Sequence, residues 1–288
     1  CKEAGLAVYV VPGSHDYSPT GKTMISVLED AGLLFDVCKF AVEDGKVKLQ
    51  FTEDKKTGVK LGGLMGRKGG LDVDYYKDID HSIENEKGTK IFVFHAAISE
   101  YRPENMKDML AVSISELPKG FSYYATGHVH KRFYDQAHRI VFPGELFPTS
   151  FDELEEYNGS FVIVELDEDT GAVDVHWQDV HLFDVAVLDI NVDNKKPLQA
   201  EQDIINRIEK GHLNDKVMLL KLHGTLDGKI SDLDFRSLTM KAYEAGARIV
   251  KRSTSAVKTR ELEEVRVGEN MSTEDIEKSL IKEHLKQM

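Results

Sequence analysis

The chain has 288 residues, 41% of them hydrophobic and 30% charged, and a formal net charge of −13 at pH 7. That is enough apolar material for one large core and a second, smaller domain. The acidic balance excludes a protein that coats nucleic acid by charge alone, because nonspecific affinity comes from Lys and Arg neutralising phosphates. No apolar run is long enough to span a membrane, and the only cysteines, Cys1 and Cys38, have no zinc or disulfide spacing, which fits a reducing, cytoplasmic location.

In chain order, the first element is a strand at residues 7–11, entered from what reads as the tail of a helix and leaving through the turn Pro12-Gly13-Ser14-His15-Asp16. A helix is expected at 27–33, and Cys38 reads as a small buried apolar residue at the end of Phe35-Asp36-Val37-Cys38. Asp80-His81 falls in a charged loop and reads as a surface pair. The apolar run 91–94 then ends at His95, and the run 121–126 ends at Gly127-His128-Val129-His130. The same shape thus occurs three times: an apolar, β-branched or aromatic strand that stops at a turn carrying a His. Neighbouring strands of one sheet present their terminal loops along a common edge, where imidazole and carboxylate together suit Mn, Fe or Zn. The alternation of an extended chain predicts that His128 and His130 point the same way, with Gly127 permitting a sharp turn. One His-x-His is a weak signal; three His-bearing strand ends in one chain are a stronger one.

Strands are then expected at 140–142, 160–166 and 173–178, the last two joined by a turn at 167–171. Asp174-Val175-His176 and Asp179-Val180-His181 lie in this alternating stretch and read as a solvated strand face. A strand at 185–191, a helix at 199–209, a strand at 216–223, a helix at 235–245 and a strand at 248–252 predict a small α/β unit. A terminal helix at 272–288, capped by Ser272, carries an apolar stripe through Ile276, Leu280 and Ile281. The expected domains are 1–183, 184–265 and a linker with the start of a partner-binding helix at 266–288. Of the paired cations, Lys131-Arg132 directly follows the His-x-His turn and is the better candidate for holding a substrate; Arg67-Lys68 and Lys251-Arg252 read equally well as solvated loops.

The order of these motifs resembles the calcineurin-like metallophosphoesterases. More narrowly, Gly13-Ser14-His15-Asp16, Gly127-His128-Val129-His130-Lys131-Arg132, Pro143-Gly144-Glu145-Leu146 and Ser150-Phe151-Asp152-Glu153 resemble the archaeal Mre11/SbcD-type DNA-repair nucleases. The segments 222–226 and 231–235 resemble that family's capping domain. The resemblance implies an α/β fold, a two-sheet metallophosphoesterase sandwich flanked by helices with a smaller α/β capping domain. It also implies two divalent ions, Mn²⁺ foremost, with Ser14, His95 and His128 serving the second and His130 the first. His15 would stabilise the transition state or protonate the leaving oxygen, Asp16 would orient it, and Lys131 and Arg132 would hold the substrate backbone. The implied partners are DNA, as duplex ends or single strands, and an SMC-like ATPase of the Rad50 type, with a homodimer formed by the full-length protein and a nucleoid-associated location in a prokaryote.

Two departures qualify this. The family's D-x-H and G-D-x-x-D motifs do not occur upstream of Gly13, so an N-terminally truncated product or a start set too far downstream is expected. Ser14 stands where the family has Asn, and a hydroxyl is a shorter and poorer donor to a divalent ion than an amide carbonyl. The expected function is a manganese-dependent nuclease acting at DNA ends in double-strand-break repair, with this chain alone weak or inactive. The alternatives are a phosphodiesterase of the same fold acting on small molecules or cyclic nucleotides, and a non-catalytic scaffold subunit.

Overall fold

Strands β1 (Tyr9–Val10), β2 (Phe35–Asp36), β3 (Phe40–Glu43), β4 (Lys46–Leu49), β5 (Thr52–Glu53), β6 (Lys60–Leu64), β7 (Lys90–His95), β8 (Tyr123–Gly127), β9 (Arg132–Asp135) and β10 (Ile140–Pro143) build most of the first of two units in the computed structural model. The structure describes residues 1–16, 23–67, 70, 73–102, 109–156 and 159–260; Lys68 and the helix expected at 272–288 lie outside them. This unit comprises Cys1–Phe147 and Asn158–Val180, and the other comprises Pro148–Tyr157 and His181–Met288. The segment around Phe151 therefore groups with the second unit, inside the stretch that the sequence assigns to the first domain.

The main sheet has the order β5-β6-β7-β8-β10-β9. Strands β6, β7, β8 and β10 are mutually parallel, and β5 and β9 pair antiparallel at the edges. In β7 the alternation of Lys-Ile-Phe-Val-Phe-His buries Phe92 and Phe94 on one face. Phe92 packs on Phe94 and Phe121 with ring centroids 5.5 and 5.3 Å apart. Tyr76 from helix α2 (Val73–Lys77), Leu64, Ile140 and Phe142 complete this core. The strands outside the main sheet form two-stranded pieces: β1–β2 parallel, the β3–β4 hairpin, and the hairpin of β11 (Ser160–Leu166) and β12 (Val173–Asp179). Asp174 and His176 are exposed on β12, as a solvated face requires.

Helix α1 (Met24–Asp30) starts earlier and stops sooner than expected. Thr23 and Ser26 form a capping box at its start, and Gly32, at φ 64°, ends it by donating its N–H to Glu29 O while Leu33 N–H reaches Leu28 O. Strand β6 has no counterpart in the sequence reading, because Gly62-Gly63 weakens any strand signal there. Gly63 is required by close approach: a Cβ would lie 2.2 Å from Val93 O and 2.8 Å from Val11 Cγ1.

The second unit is a parallel three-stranded sheet of β13 (Val185–Asn191), β14 (Val217–Leu226) and β15 (Ile249–Thr259), in that order. Helices α4 (Pro197–Lys210) and α5 (Phe235–Glu244) bury Ala200, Ile204, Ile208, Leu238 and Ala242 against Met218, Leu220 and Leu222. Helix α3 (Phe151–Glu156) packs Leu154 with Val217 and Leu219, which point to the opposite side of β14. Its start is fixed by Glu153, whose carboxylate accepts from Thr149 N–H and Ser150 N–H at 2.9 and 3.0 Å. Strand β15 runs seven residues past the expected stop at 252, with a register shift opposite Lys221 and His223. No helix among the described residues is long and apolar enough to cross a membrane.

Candidate active site

Parallel pairing sets Leu64, Phe94 and Thr126 side by side, and His95 beside Gly127. The carboxyl ends of β6, β7 and β8 thereby bring Gly66-Arg67, His95 and His128 together, at the edge where open parallel sheets receive ligands. The turn after β1 is tied to them by Gly66 N–H, which donates to Pro12 O at 2.9 Å. Within that turn the Asp16 carboxylate accepts from Gly13 N–H at 2.9 Å, and Asp16 N–H donates to Gly13 O at 3.1 Å. A cavity of about 430 Å³ opens here, with Ser14, Arg67, His95 and His128 on its polar side and Val73, Met109 and Leu110 on its apolar side.

His95 is seated among three glycines. A Cβ on Gly66 would fall 2.4 Å from His95 Cδ2, one on Gly127 2.9 Å from Nδ1, and one on Gly13 3.1 Å from Cε1. The sequence reading explains Gly127 by a turn; the structure adds that its missing side chain leaves room for the imidazole. The His95 and His128 rings stand edge to face with centroids 5.2 Å apart. Burial, then the neighbouring His128, push the His95 pKa down to about 4; Asp16 opposes this, and His130 and His15 add to it. His95 is therefore neutral at physiological pH, the form in which imidazole can bind a metal.

The expected alternation of His128 and His130 does not hold. Strand β8 ends at Gly127 and His128 adopts φ 82°, so the backbone is left-handed where an extended chain was expected. Such a conformation is uncommon for a residue with a Cβ, although His adopts it more readily than most. Val129 packs partly buried against the core, while His128 and His130 are exposed. His130 is outside the cavity lining, yet close enough to His95 to act on it electrostatically. His15 and Asp16 are exposed on the turn beside the cavity, and Ser14 lines it. Lys131 is exposed. Arg132 lies in β9, where its guanidinium meets Asp179 at 2.6 Å and donates to Gly159 O at 3.2 Å. Arg67, which the sequence left open between a ligand contact and a solvated loop, is on the cavity wall.

The donors at this edge have the chemistry of a site for a borderline divalent ion, but not the number. Among the described residues no three His, Cys, Asp or Glu side chains converge as a metal-binding group. His95 and His128 make up one side of such a site, and the two-ion arrangement implied by the resemblance is not formed by the described residues.

A mixed sheet whose parallel strands end in paired histidines beside a cavity, flanked by hairpins and short helices, is consistent with a metallophosphoesterase fold. No protein-family model matches the chain. Among curated proteins, it is similar to three archaeal proteins described as DNA double-strand break repair protein Mre11. That of Sulfolobus acidocaldarius is 27% identical over 270 residues, covering 91% of this chain and 66% of the relative. That of Sulfurisphaera tokodaii is 30% identical over 138 residues, covering 46% and 31%. That of Methanocaldococcus jannaschii is 24% identical over 215 residues, covering 72% and 54%. The chain spans about two thirds of the first relative and less of the others, and its similarity to the first of these Mre11 proteins extends over nearly its whole length.

Proposed function

We propose that this chain is the phosphodiesterase-bearing part of a DNA nuclease that acts at DNA ends in double-strand-break repair. The observation that carries this reading is the His95–His128 pair over the cavity at the carboxyl ends of β7 and β8, in a chain similar to Mre11 over 91% of its length.

In the proposed reaction His95 and His128, with Ser14 directly or through water, would hold one divalent ion, foremost manganese, and His130 would serve another. Bound ions of this kind polarise a phosphoryl oxygen and lower the pKa of a bound water. The chain's own groups do the rest. Neutral His95 keeps a lone pair available, and Asp16, fixed by Gly13 N–H, orients the turn that carries His15. From that turn His15 would stabilise the developing charge or give its proton to the leaving oxygen, a role typically contributing about 10²–10⁴-fold. Residues 184–265 would act as the capping domain, and the segment beyond them would engage an SMC-like ATPase of the Rad50 type. A homodimer and a cytoplasmic, nucleoid-associated location complete the reading.

The described residues furnish only part of a ligand set, so the chain alone should hydrolyse DNA slowly. The test is release of nucleotide from end-labelled duplex in manganese, with His128→Ala as control. Residual hydrolysis lost in the variant supports the reading; manganese-dependent hydrolysis unaffected by His128→Ala removes it. Competition between duplex ends and a small phosphodiester separates this reading from a small-molecule phosphodiesterase. A second reading, a scaffold that holds the ATPase without catalysis, is favoured by Ser14 and by the incomplete ligand set. It predicts co-purification with the ATPase and no manganese-dependent hydrolysis by a product that also carries D-x-H and G-D-x-x-D.

A further inference from the structure

We infer that Leu110 receives the face of a nucleobase, the one next to the phosphate in the His95–His128 cavity, so that the cavity takes a nucleotide unit and not a phosphate alone. The inference rests on the phosphodiester reading of the same cavity. It starts from the wall that this reading leaves unused. The polar side, with Ser14 and His95, suits an ion and a phosphate, whereas the apolar side, formed by Val73, Ala96, Met109 and Leu110, offers them nothing beyond dispersion. The volume of about 430 Å³ falls in the range of about 300–1,000 Å³ that takes a whole small ligand.

The second observation is how Leu110 is held. Fully buried Val112 donates its N–H to Ala97 O at 2.9 Å and accepts from Ser99 N–H at 2.9 Å. The parallel bridge of Ile98 with Val112 ties this segment to the chain that continues β7, and the same register, carried back two residues, sets Leu110 beside Ala96, the residue after His95. Met109 O accepts from the Arg102 guanidinium, and behind Leu110 lies Gly70, where a Cβ would come 2.5 Å from Leu110 Cδ1 and 2.7 Å from its Cβ. The backbone is thus fixed on both sides, yet the side chain is left 59% exposed. A single exposed Leu is ordinary, but one continuous with Val73, Ala96 and Met109 in a cavity is a surface that faces a ligand. A nucleotide presents the matching pair of features: an anionic phosphate and, one sugar away, a base whose face is apolar. Leu is among the side chains that take the place of a neighbouring base when a stack is opened. An unpaired or terminal base therefore fits against Leu110, and a base inside an intact stack does not.

The experiment compares two fluorescent phosphorothioate octanucleotides, one all-thymidine and one fully abasic, binding to the full chain by anisotropy in calcium, where the sulfur-substituted links resist hydrolysis. The two strands carry the same phosphates and differ only in their bases. The wild type should favour the thymidine strand. Leu110→Ala should weaken that strand about tenfold, the scale of losing part of one Leu contact, and leave the abasic strand unchanged. Leu110→Met, which keeps the apolar bulk, should retain the preference. Melting curves show that each variant is folded, and a purely structural role for Leu110 would weaken both strands alike. Equal wild-type affinity for the two strands, unchanged binding in Leu110→Ala, or an equal loss on both strands overturns the inference while leaving the nuclease reading intact. If the wild type ignores both strands but binds bis(p-nitrophenyl) phosphate, the DNA reading falls and the inference falls with it. Binding of neither strand nor diester overturns the phosphodiester reading as well.

Discussion

The imidazoles of His95 and His128 stand 5.2 Å apart at 77°, one ending β7 and the other beginning the turn after β8. Burial disfavours the protonated form of the His95 imidazole, and the neighbouring His128 adds to the effect. The His95 pKa falls from an ordinary 6.5 to about 4, so the folded chain binds fewer protons than the unfolded chain between those values. Stability therefore rises with pH across that window and is lost on acidification from pH 6.5 towards 4. Denaturant melts in EDTA should lose about 1–2 kcal/mol over the window, after allowance for solvent screening. His95→Asn should flatten that part of the profile, and an equal slope in variant and wild type would refute the assignment.

Gly66 is the residue on which the His95 position depends most directly. A Cβ there would meet His95 Cδ2 at 2.4 Å and His95 O at 2.9 Å, and the second contact is with the backbone of β7, which the sheet holds on both sides. Gly66→Ala should cost about 1–3 kcal/mol in stability, the scale of overpacking a filled site. It should also lower manganese affinity by titration calorimetry. Wild-type stability together with wild-type binding would show that the loop gives way easily.

Much of this was legible in the sequence, and what was not has identifiable physical causes. Strands β11 and β13 have the expected bounds because alternation or a continuous apolar run is unbroken there. The His95 and His128 strand ends were found because each apolar run stops at the polar residue itself. Strand β6 was missed because two glycines dilute its pattern, and with it the reason why Arg67 lies at the same edge as the histidines. The left-handed turn at His128 was invisible because a His, unlike a Gly, adopts positive φ too seldom for the residue type alone to announce it. The departure of Arg132 towards Asp179 depends on a side-chain contact between two hairpins distant in sequence, which local pattern does not report.

Ser14 lines the cavity where the resembled family carries Asn. An amide carbonyl reaches further than a hydroxyl and donates to a divalent ion without deprotonation. Ser14→Asn should therefore tighten manganese binding, on the order of tenfold, the scale on which single changes around a metal act. Calorimetry on the paired proteins measures this directly; identical affinities would mean that residue 14 contributes nothing to ion binding.

Away from the cavity, Asp135 at the end of β9 joins two side chains. Its Oδ2 accepts from Tyr101 Oη and lies 2.7 Å from His138 Nδ1, while Oδ1 accepts from Ala137 N–H and His138 N–H at 2.8 and 3.1 Å. Partial burial alone would raise the carboxyl pKa, but the bonds from Tyr101 and His138 outweigh it and bring the pKa down to about 2. Since the unfolded value is about 3.9, the folded state favours the carboxylate. The resulting stabilisation is fully present above pH 4 and is lost as pH falls through 2. The side chain is only 16% exposed, so most of the effect survives solvent screening. Asp135→Asn should cost about 1–2 kcal/mol at neutral pH and abolish the part of acid unfolding between pH 4 and 2. Tyr101→Phe should reproduce part of both changes while keeping the ring packed on Phe133, whose centroid is 4.6 Å away. If Asp135→Asn lowers stability equally at pH 2 and pH 7, the loss comes from packing, and the carboxylate is not what the Tyr101 and His138 bonds stabilise.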